Sequence, residues 1–135
     1  MKENNAEISK KVEQWLSFGD EDLRLACHAM KLESGCPYRL IAYHAQQCVE
    51  KHLKAYLVYH GIDFPYTHNI SRLLELCDEF TSTNWIDELQ EAEELTPFAI
   101  TTRYPGQDED VTKDETERSI FIAEKVREII RNKIV

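Results

Sequence analysis

The chain has 135 residues, of which 42% are hydrophobic and 30% are charged, and its formal net charge is −9. This length fits one domain, residues 1–135, with a core of its own, and the composition is typical of a globular chain. The acidic charge argues against a general nucleic-acid-binding surface, which needs clustered Lys and Arg. Because no apolar run of 18 residues and no signal-peptide core occur, we expect a cytoplasmic protein without a membrane span.

Four cysteines are scattered along the chain without a C-x-x-C pair: Cys27, Cys36, Cys48 and Cys77. Three of them fall in apolar helical stripes, where a free cysteine behaves as a small hydrophobic residue. The sequence therefore predicts reduced thiols rather than disulfides. It contains no Gly-rich phosphate loop and no H-E-x-x-H motif, so we expect neither a metal nor a cofactor.

The first half of the chain is predicted to form two long helices. Apolar residues recur at helical spacing over residues 6–31, where Gly19 leaves a kink or break open. The second helix is predicted over residues 37–60. Pro37 suits its first position, and Gly61 suits a C-cap.

Three more helices are predicted in the second half. Thr67 or Asn69 caps the third, whose apolar stripe reaches Phe80. A fourth is predicted from Trp85 to Thr101, and a capping box from Thr112 to Glu115 opens the last. No strand pattern appears, so the sequence predicts an all-α, up-and-down antiparallel bundle of about five helices.

The second helix carries more polar residues than a core helix needs. Residues 46–54 read Gln-Gln-Cys-Val-Glu-Lys-His-Leu-Lys, and at about 100° per residue four of the polar side chains share an arc. That arc is either a solvated face with an i, i+4 ion pair worth ~0.3–0.5 kcal/mol, or the wall of a groove or partner contact. If the arc lines a groove or a partner contact, a Lys can bind a phosphate and a Gln amide can hydrogen-bond to a polar edge of the ligand. The arc consists of Gln47, Glu50, Lys51 and Lys54.

The order Q-Q-x-x-E-K-x-x-K-A, together with Thr67-His68 and Arg103-Tyr104-Pro105, resembles the HEPN family of small helical domains. The resemblance implies a four-helix core with an extra helix, often a dimer. It also implies partnership with a minimal nucleotidyltransferase in toxin–antitoxin modules. We therefore expect a non-catalytic binding or regulatory module, acting as a homodimer on a nucleotidyltransferase, a nucleotide or both. The residues expected to bind a ligand or partner are Gln47, Glu50, Lys51, Lys54, His68, Arg103 and Tyr104.

A ribonuclease toxin and a ligand-free helical adaptor are the alternatives. Active HEPN ribonucleases carry an Arg followed by a His after four to six residues. Arg39 and His44 have that spacing, but they lie on an earlier helix than the family's pair. Arg103 resembles the family's Arg, yet no His follows it. We therefore expect no RNA cleavage, for want of a group to move the proton.

Arg103 either binds a ligand or anchors its loop by pairing with Glu50. Pro105 stiffens that loop, so we expect Arg103 to lie against Glu50 and to leave Lys51 and Lys54 free for a phosphate or an acidic partner. His68 precedes the third helix, whose N-terminus favours anions, although a capping role for Thr67 explains that motif equally well.

A homodimer is also predicted from the apolar surface. The stripes on the first two helices are broader than one neighbour covers, with Tyr43, Leu53 and Leu57 at their flank.

Overall fold

The computed structural model describes residues 4–100 and 110–134, and every regular element in these two stretches is helical. α2 lies at the centre and packs against α1, α3, α5 and a 3₁₀ helix. The predicted all-α fold is confirmed. In chain order the elements are α1 (Asn5–Ala29), α2 (Tyr38–Tyr59), α3 (Ile70–Phe80), α4 (Trp85–Glu88), the 3₁₀ helix (Gln90–Ala99) and α5 (Lys113–Lys133).

α1 continues through Gly19, so the break considered there is not formed. The glycine has a packing reason instead. A Cβ atom at this position would lie 2.7 Å from Nδ1 and 2.8 Å from Cε1 of His52 on α2. Since real Cβ atoms do not approach other atoms so closely, the missing side chain is what lets α1 lie against the His52 ring.

The predicted ends at Gly61 and Asn69 are confirmed, whereas Pro37 is the N-cap of α2 and not its first helical residue. Gly61 follows α2 with a φ of 69°. The amide of Ile62 donates to the Leu57 carbonyl, which is the pattern of a Schellman cap. At α3 the capping oxygen belongs to Asn69, which accepts from the amide of Arg72, while Thr67 accepts from the amide of Asn69.

The capping box of α5 is also confirmed. The Thr112 hydroxyl accepts from the amide of Glu115, and the Glu115 carboxylate accepts from the amide of Thr112. Two otherwise unpaired amides at the start of the helix are thereby satisfied.

The predicted fourth helix, Trp85 to Thr101, is not one continuous α-helix. Only Trp85–Glu88 is α-helical, and the chain continues as a 3₁₀ helix over Gln90–Ala99. Leu89 separates the two with φ −116° and ψ 29°, outside the α-helical region. Pro97 lies inside the second part and has no N–H to donate, so an α-helical ladder could not run through it.

The packing of α2 contradicts part of the sequence argument for a homodimer, which placed Leu53 and Leu57 at an uncovered flank. Leu53 and Leu57 are fully buried within a single chain, so neither needs a second copy to cover it. α2 is enclosed by α1, α3, α5 and the 3₁₀ helix, and this wide enclosure accounts for the breadth of its apolar stripe.

No helix in the described parts of the chain combines the length and the apolar character needed to cross a bilayer.

Candidate functional site

Three of the four side chains of the polar arc of α2 are buried, so its interpretation as a solvated face is wrong. Glu50 is 2% exposed, Lys54 is 6% exposed, and Gln46 and Gln47 are buried as well. Gln47 donates to the side-chain oxygen of Gln46 at 2.7 Å. A row of buried polar side chains in the central helix is costly unless each has partners, and these have them.

Glu50 is the hub of this buried network. Its carboxylate accepts from Lys54 Nζ at 2.5 Å and from Gln46 Nε2 at 2.7 Å. Both of its oxygens lie 3.0 Å from Nδ1 of His68. Burial raises the pKa of the Glu50 carboxyl, but the hydrogen bonds from Lys54, His68 and Gln46 outweigh it, and the net pKa is lowered. Glu50 is therefore a carboxylate at neutral pH.

His68 reaches Glu50 from the connection between α2 and α3, residues 62–69, which we call the strap. The strap has no regular structure, and two of its aromatic rings, Phe64 and Tyr66, surround the ammonium of Lys54. The Lys54 Nζ atom lies 5.9 Å from each of these ring centroids and 5.6 Å from that of Trp15 on α1. Cation–π attraction to Lys54 and the contact of His68 with Glu50 together hold the strap over the middle of α2.

Lys51 is paired with a carboxylate of α1. Its Nζ atom donates to Oδ2 of Asp22 on α1 at 2.6 Å, and Oδ1 of the same carboxylate lies 2.7 Å from Nδ1 of His44. The expectation that Lys51 and Lys54 are free is therefore wrong, since each holds a carboxylate of its own chain. Lys51 and His44 keep some exposure to solvent, whereas Asp22 is buried.

A third charged cluster joins α1 and α5 next to His52. Asp20 accepts from Arg127 Nε at 2.7 Å and also pairs with Arg131. Burial raises the pKa of the Asp20 carboxyl, but the hydrogen bond from Arg127 and the charges of both arginines lower it overall. This cluster joins the interior of α1 to the last two turns of α5.

His52 is fully buried beside that cluster. Its Nδ1 lies 2.7 Å from the Cys48 carbonyl, so Nδ1 carries the proton and donates. Its Nε2 lies 3.3 Å from Oδ1 of Asp20, yet it makes no hydrogen bond among the described residues. Burial lowers the pKa of His52, against smaller raising effects of the Cys48 hydrogen bond and Asp20. The ring is accordingly neutral.

The cysteines behave as expected from the sequence. All four are free, and Cys48 and Cys77 are buried. Burial raises the pKa of Cys77 to about 12 and that of Cys48 still further, so both remain protonated and unreactive. No group of three or more metal-ligating side chains occurs among the residues that the structure describes.

Of the residues predicted to bind, the structure brings Glu50, Lys54 and His68 together and places Lys51 at a separate pair. Arg103 and Tyr104 lie outside the described residues, so the expected contact between Arg103 and Glu50 stays a prediction. Four participants had not been singled out: Trp15, Asp22, Phe64 and Tyr66. The strap aromatics carried a weak signal, since Phe64 and Tyr66 interrupt a short polar connection, but nothing in the α1 sequence marks Asp22.

Comparison with known proteins agrees with this fold. A family model for the HEPN domain matches residues 12–133. The chain is 30% identical over 127 residues to the candidate toxin MJ1304 of Methanocaldococcus jannaschii. The aligned region covers 84% of this chain and 81% of the relative. The chain therefore belongs to the HEPN family.

Two solved structures resemble it over nearly their whole length. One is ST0689, an archaeal HEPN homologue, with a TM-score of 0.71 and 29% identity over 92% of this chain and 98% of that one. The other is TT1696 from Thermus thermophilus, with a TM-score of 0.73 and 25% identity over 91% of this chain and 98% of that one.

Proposed function

We propose that this HEPN chain is a non-catalytic binding and regulatory module of a toxin–antitoxin-like pair. The partner in this proposal is a minimal nucleotidyltransferase, with a nucleotide as an additional ligand. The observation that carries the proposal is the buried charged network around Glu50 in the central helix. Likeness to a candidate toxin of similar length supports the toxin–antitoxin setting.

The energetics of the network argue for a role beyond stability. A buried ion pair such as Glu50–Lys54 loses its hydration, and apolar residues of similar volume would often stabilise the fold equally well or better. A structural role alone therefore gives little reason to place Glu50, Lys54 and two glutamines in the middle of a core helix. Binding gives a reason, because these groups hold the strap in one place and so organise the surface above them.

The surface organised in this way is small and suited to contact. Tyr66 is 90% exposed at the tip of the strap, and the side chain of His68 beside it is 45% exposed. Their rings meet edge to face at 5.4 Å. An exposed tyrosine next to a histidine fixed by a buried carboxylate provides both apolar area and a hydrogen-bonding tip, which are the properties of a binding hot spot.

The proposal is tested by co-expression with a nucleotidyltransferase reading frame adjacent to the gene, followed by affinity purification and native mass spectrometry. We expect a complex that contains both chains, and we expect Tyr66→Ala and His68→Ala to reduce its yield by tenfold or more. Lys113→Ala is the matched control, because this exposed α5 side chain pairs with Glu117 on its own helix. Failure of the wild-type chain to retain the nucleotidyltransferase, or equal loss in the control, would contradict the proposal.

An active toxin is the second candidate, and the likeness to MJ1304 favours it. Its test is induced expression with and without the nucleotidyltransferase, scored by growth and by the integrity of cellular RNA. We expect intact RNA, since no histidine follows Arg103 in the chain. If RNA is cleaved and Arg103→Ala abolishes the cleavage, the proposed binding function is wrong and the chain is a ribonuclease.

A further inference from the structure

A small cavity lies between the 3₁₀ helix and the first half of α5. Its volume is about 80 Å³, and its apolar wall consists of Leu95, Phe98 and Ile122. Leu95 and Ile122 are each 1% exposed and belong to the hydrophobic core, against which Phe98 packs. The cavity therefore offers core side chains to a small apolar group.

The rim of the cavity is charged and exposed. Arg118 donates to Glu94 through Nε at 2.9 Å and through Nη2 at 2.6 Å, and both side chains are about half exposed. Lys125 and Glu91 form another ion pair between α5 and the 3₁₀ helix. The hydrogen bonds from Arg118 and Lys125 lower the pKa of Glu94 and of Glu91, so both are carboxylates at neutral pH. These pairs join the two walls, which means that the cavity is formed before a ligand arrives.

The volume of the cavity determines which group fits. A dry apolar cavity of about 150 Å³ binds benzene, so a cavity of about 80 Å³ has room for about three carbon atoms. The isopropyl group of a valine has this size. A methyl group would leave part of the cavity empty, and a phenyl ring would exceed it.

The charges around the cavity are predominantly negative. Residues 90–99 and 113–125 carry seven carboxylates and three cations, which gives a net charge of −4. The three cations pair with Glu91, Glu94 and Glu117. Glu115 lines the cavity and, like Asp114 beside it, has no ion pair among the described residues. Because unpaired carboxylates attract cations and repel phosphates, this surface favours a basic peptide over a nucleic acid.

We propose that this cavity is a docking site for a basic segment of a protein partner, in which a valine-sized side chain enters the cavity and a neighbouring Lys or Arg contacts Glu115. The site is separate from the strap, none of whose residues lines it, and it goes beyond the proposed function. The cavity selects the apolar side chain by size, while the carboxylates attract the segment and fix its register.

The test titrates short peptides into the full chain and follows the methyl groups of Leu95 and Ile122 by ¹H–¹³C NMR. The probes are Lys-Lys-Val-Lys-Lys and the same peptide with Ala or Phe in place of Val. We expect saturable shifts of both methyl groups with the Val peptide. The Ala peptide should bind about tenfold more weakly because it buries two carbon atoms fewer, and the Phe peptide should also bind more weakly. Equal affinities of the three peptides would overturn the inference, since charge alone would then explain binding.

Glu115→Gln separates the charge at the cavity from the general acidity of the chain. A glutamine serves as well as a glutamate in the capping box, so the start of α5 is preserved. We expect this variant to bind the Val peptide about threefold more weakly. Glu124→Gln is the matched control and should bind as the wild type does, because it removes an exposed α5 carboxylate that does not line the cavity. Equal weakening in both variants would contradict a contact at Glu115.

Two further titrations address other occupants of the cavity. A short oligouridine is added in place of the peptide, and the chain alone is measured at rising concentration. We expect the methyl groups of Leu95 and Ile122 to respond to neither. Shifts caused by the oligouridine would assign the cavity to nucleic acid, and shifts caused by concentration would assign it to a second copy, so either result would overturn the inference. Because the probes are peptides, their failure is separate from failure to retain the nucleotidyltransferase.

Discussion

At the scale of single residues, His52 and Gly19 show how closely two helices approach one another. The buried ring donates through Nδ1 to a backbone carbonyl of its own helix and lies where a Gly19 side chain would be. The same ring is held neutral by its burial, with one nitrogen unpaired among the described residues. Both features lead to predictions about stability.

Gly19→Ala should destabilise the protein, although the same exchange inside a helix ordinarily stabilises it by about 0.5–1 kcal/mol. The new Cβ would overlap the buried His52 ring, and overpacking of this kind costs about 1–3 kcal/mol. Chemical denaturation of both proteins measures the difference. Ser17→Ala, on an exposed position of the same helix, serves as control and should change stability by less than ~0.5 kcal/mol. A Gly19→Ala variant as stable as the wild type would show that the ring has room to move.

Stability should fall as the pH is lowered below about 6.5, in part because of His52. Burial lowers the pKa of His52 in the folded chain, so between that value and 6.5 the unfolded chain binds more protons. The contribution is fully present above 6.5 and is lost as acid protonates the unfolded state. Denaturation at several pH values gives the slope, which should be shallower in His52→Asn. His60→Asn, at an exposed ring whose pKa burial also lowers, should change the slope less.

At the scale of elements, the strap is joined to α2 by charge and by aromatic packing. Lys54 contacts Glu50 on its own helix and two rings of the strap, and Phe64 meets Trp15 of α1 edge to face at 6.4 Å. Loss of either charge therefore affects three segments of the chain at once.

Glu50→Gln and Lys54→Met should each be strongly destabilising, at about 3–5 kcal/mol, because each leaves one buried charge without its partner. The double variant should cost clearly less than the sum of the two, since it removes both charges. A double-mutant cycle in denaturant measures this coupling. The exposed pair Arg72–Glu75 on α3 is the matched control, with an expected coupling below about 1 kcal/mol. Additive effects at Glu50 and Lys54 would argue against a coupled buried pair.

α3 depends on its apolar stripe. Leu73 and Leu74 are fully buried, so replacing either with Ala should cost about 2–5 kcal/mol. Phe80→Ala at the exposed end of the same helix should cost far less. Thermal melts of the three variants provide the comparison, and equal melting temperatures would mean that α3 contributes little to the core.

At the scale of the whole molecule, the apolar side chains left on the surface favour association of two copies. Phe18 and Leu25 are 50% and 52% exposed, and their spacing of seven residues puts them on the same side of α1. We predict a homodimer in which this side is covered. Phe18→Ser with Leu25→Ser should yield monomers in analytical ultracentrifugation, whereas Phe121→Ser on α5 should not. A wild-type chain that stays monomeric at high micromolar concentration would rule this dimer out.

The sequence by itself determined the local structure. Helical spacing of apolar residues, the glycine after α2 and the capping box of α5 act within a few residues, so their effects can be read directly from the chain. The fourth helix failed at Leu89 and Pro97, where the periodicity persisted but the backbone could not keep α-helical hydrogen bonds. The family, and with it the α-helical fold, was accessible from three short motifs.

Only the tertiary structure decided which polar residues meet and which are buried. Helical spacing predicted that Glu50 and Lys54 share an arc, but it could not reveal that the strap covers them. Glu50 meets His68 across 18 positions of sequence, and Lys51 meets Asp22 across 29. Such contacts depend on the path of the connections and on the packing of whole helices, and a pattern with a period of 3.6 residues carries no information about either.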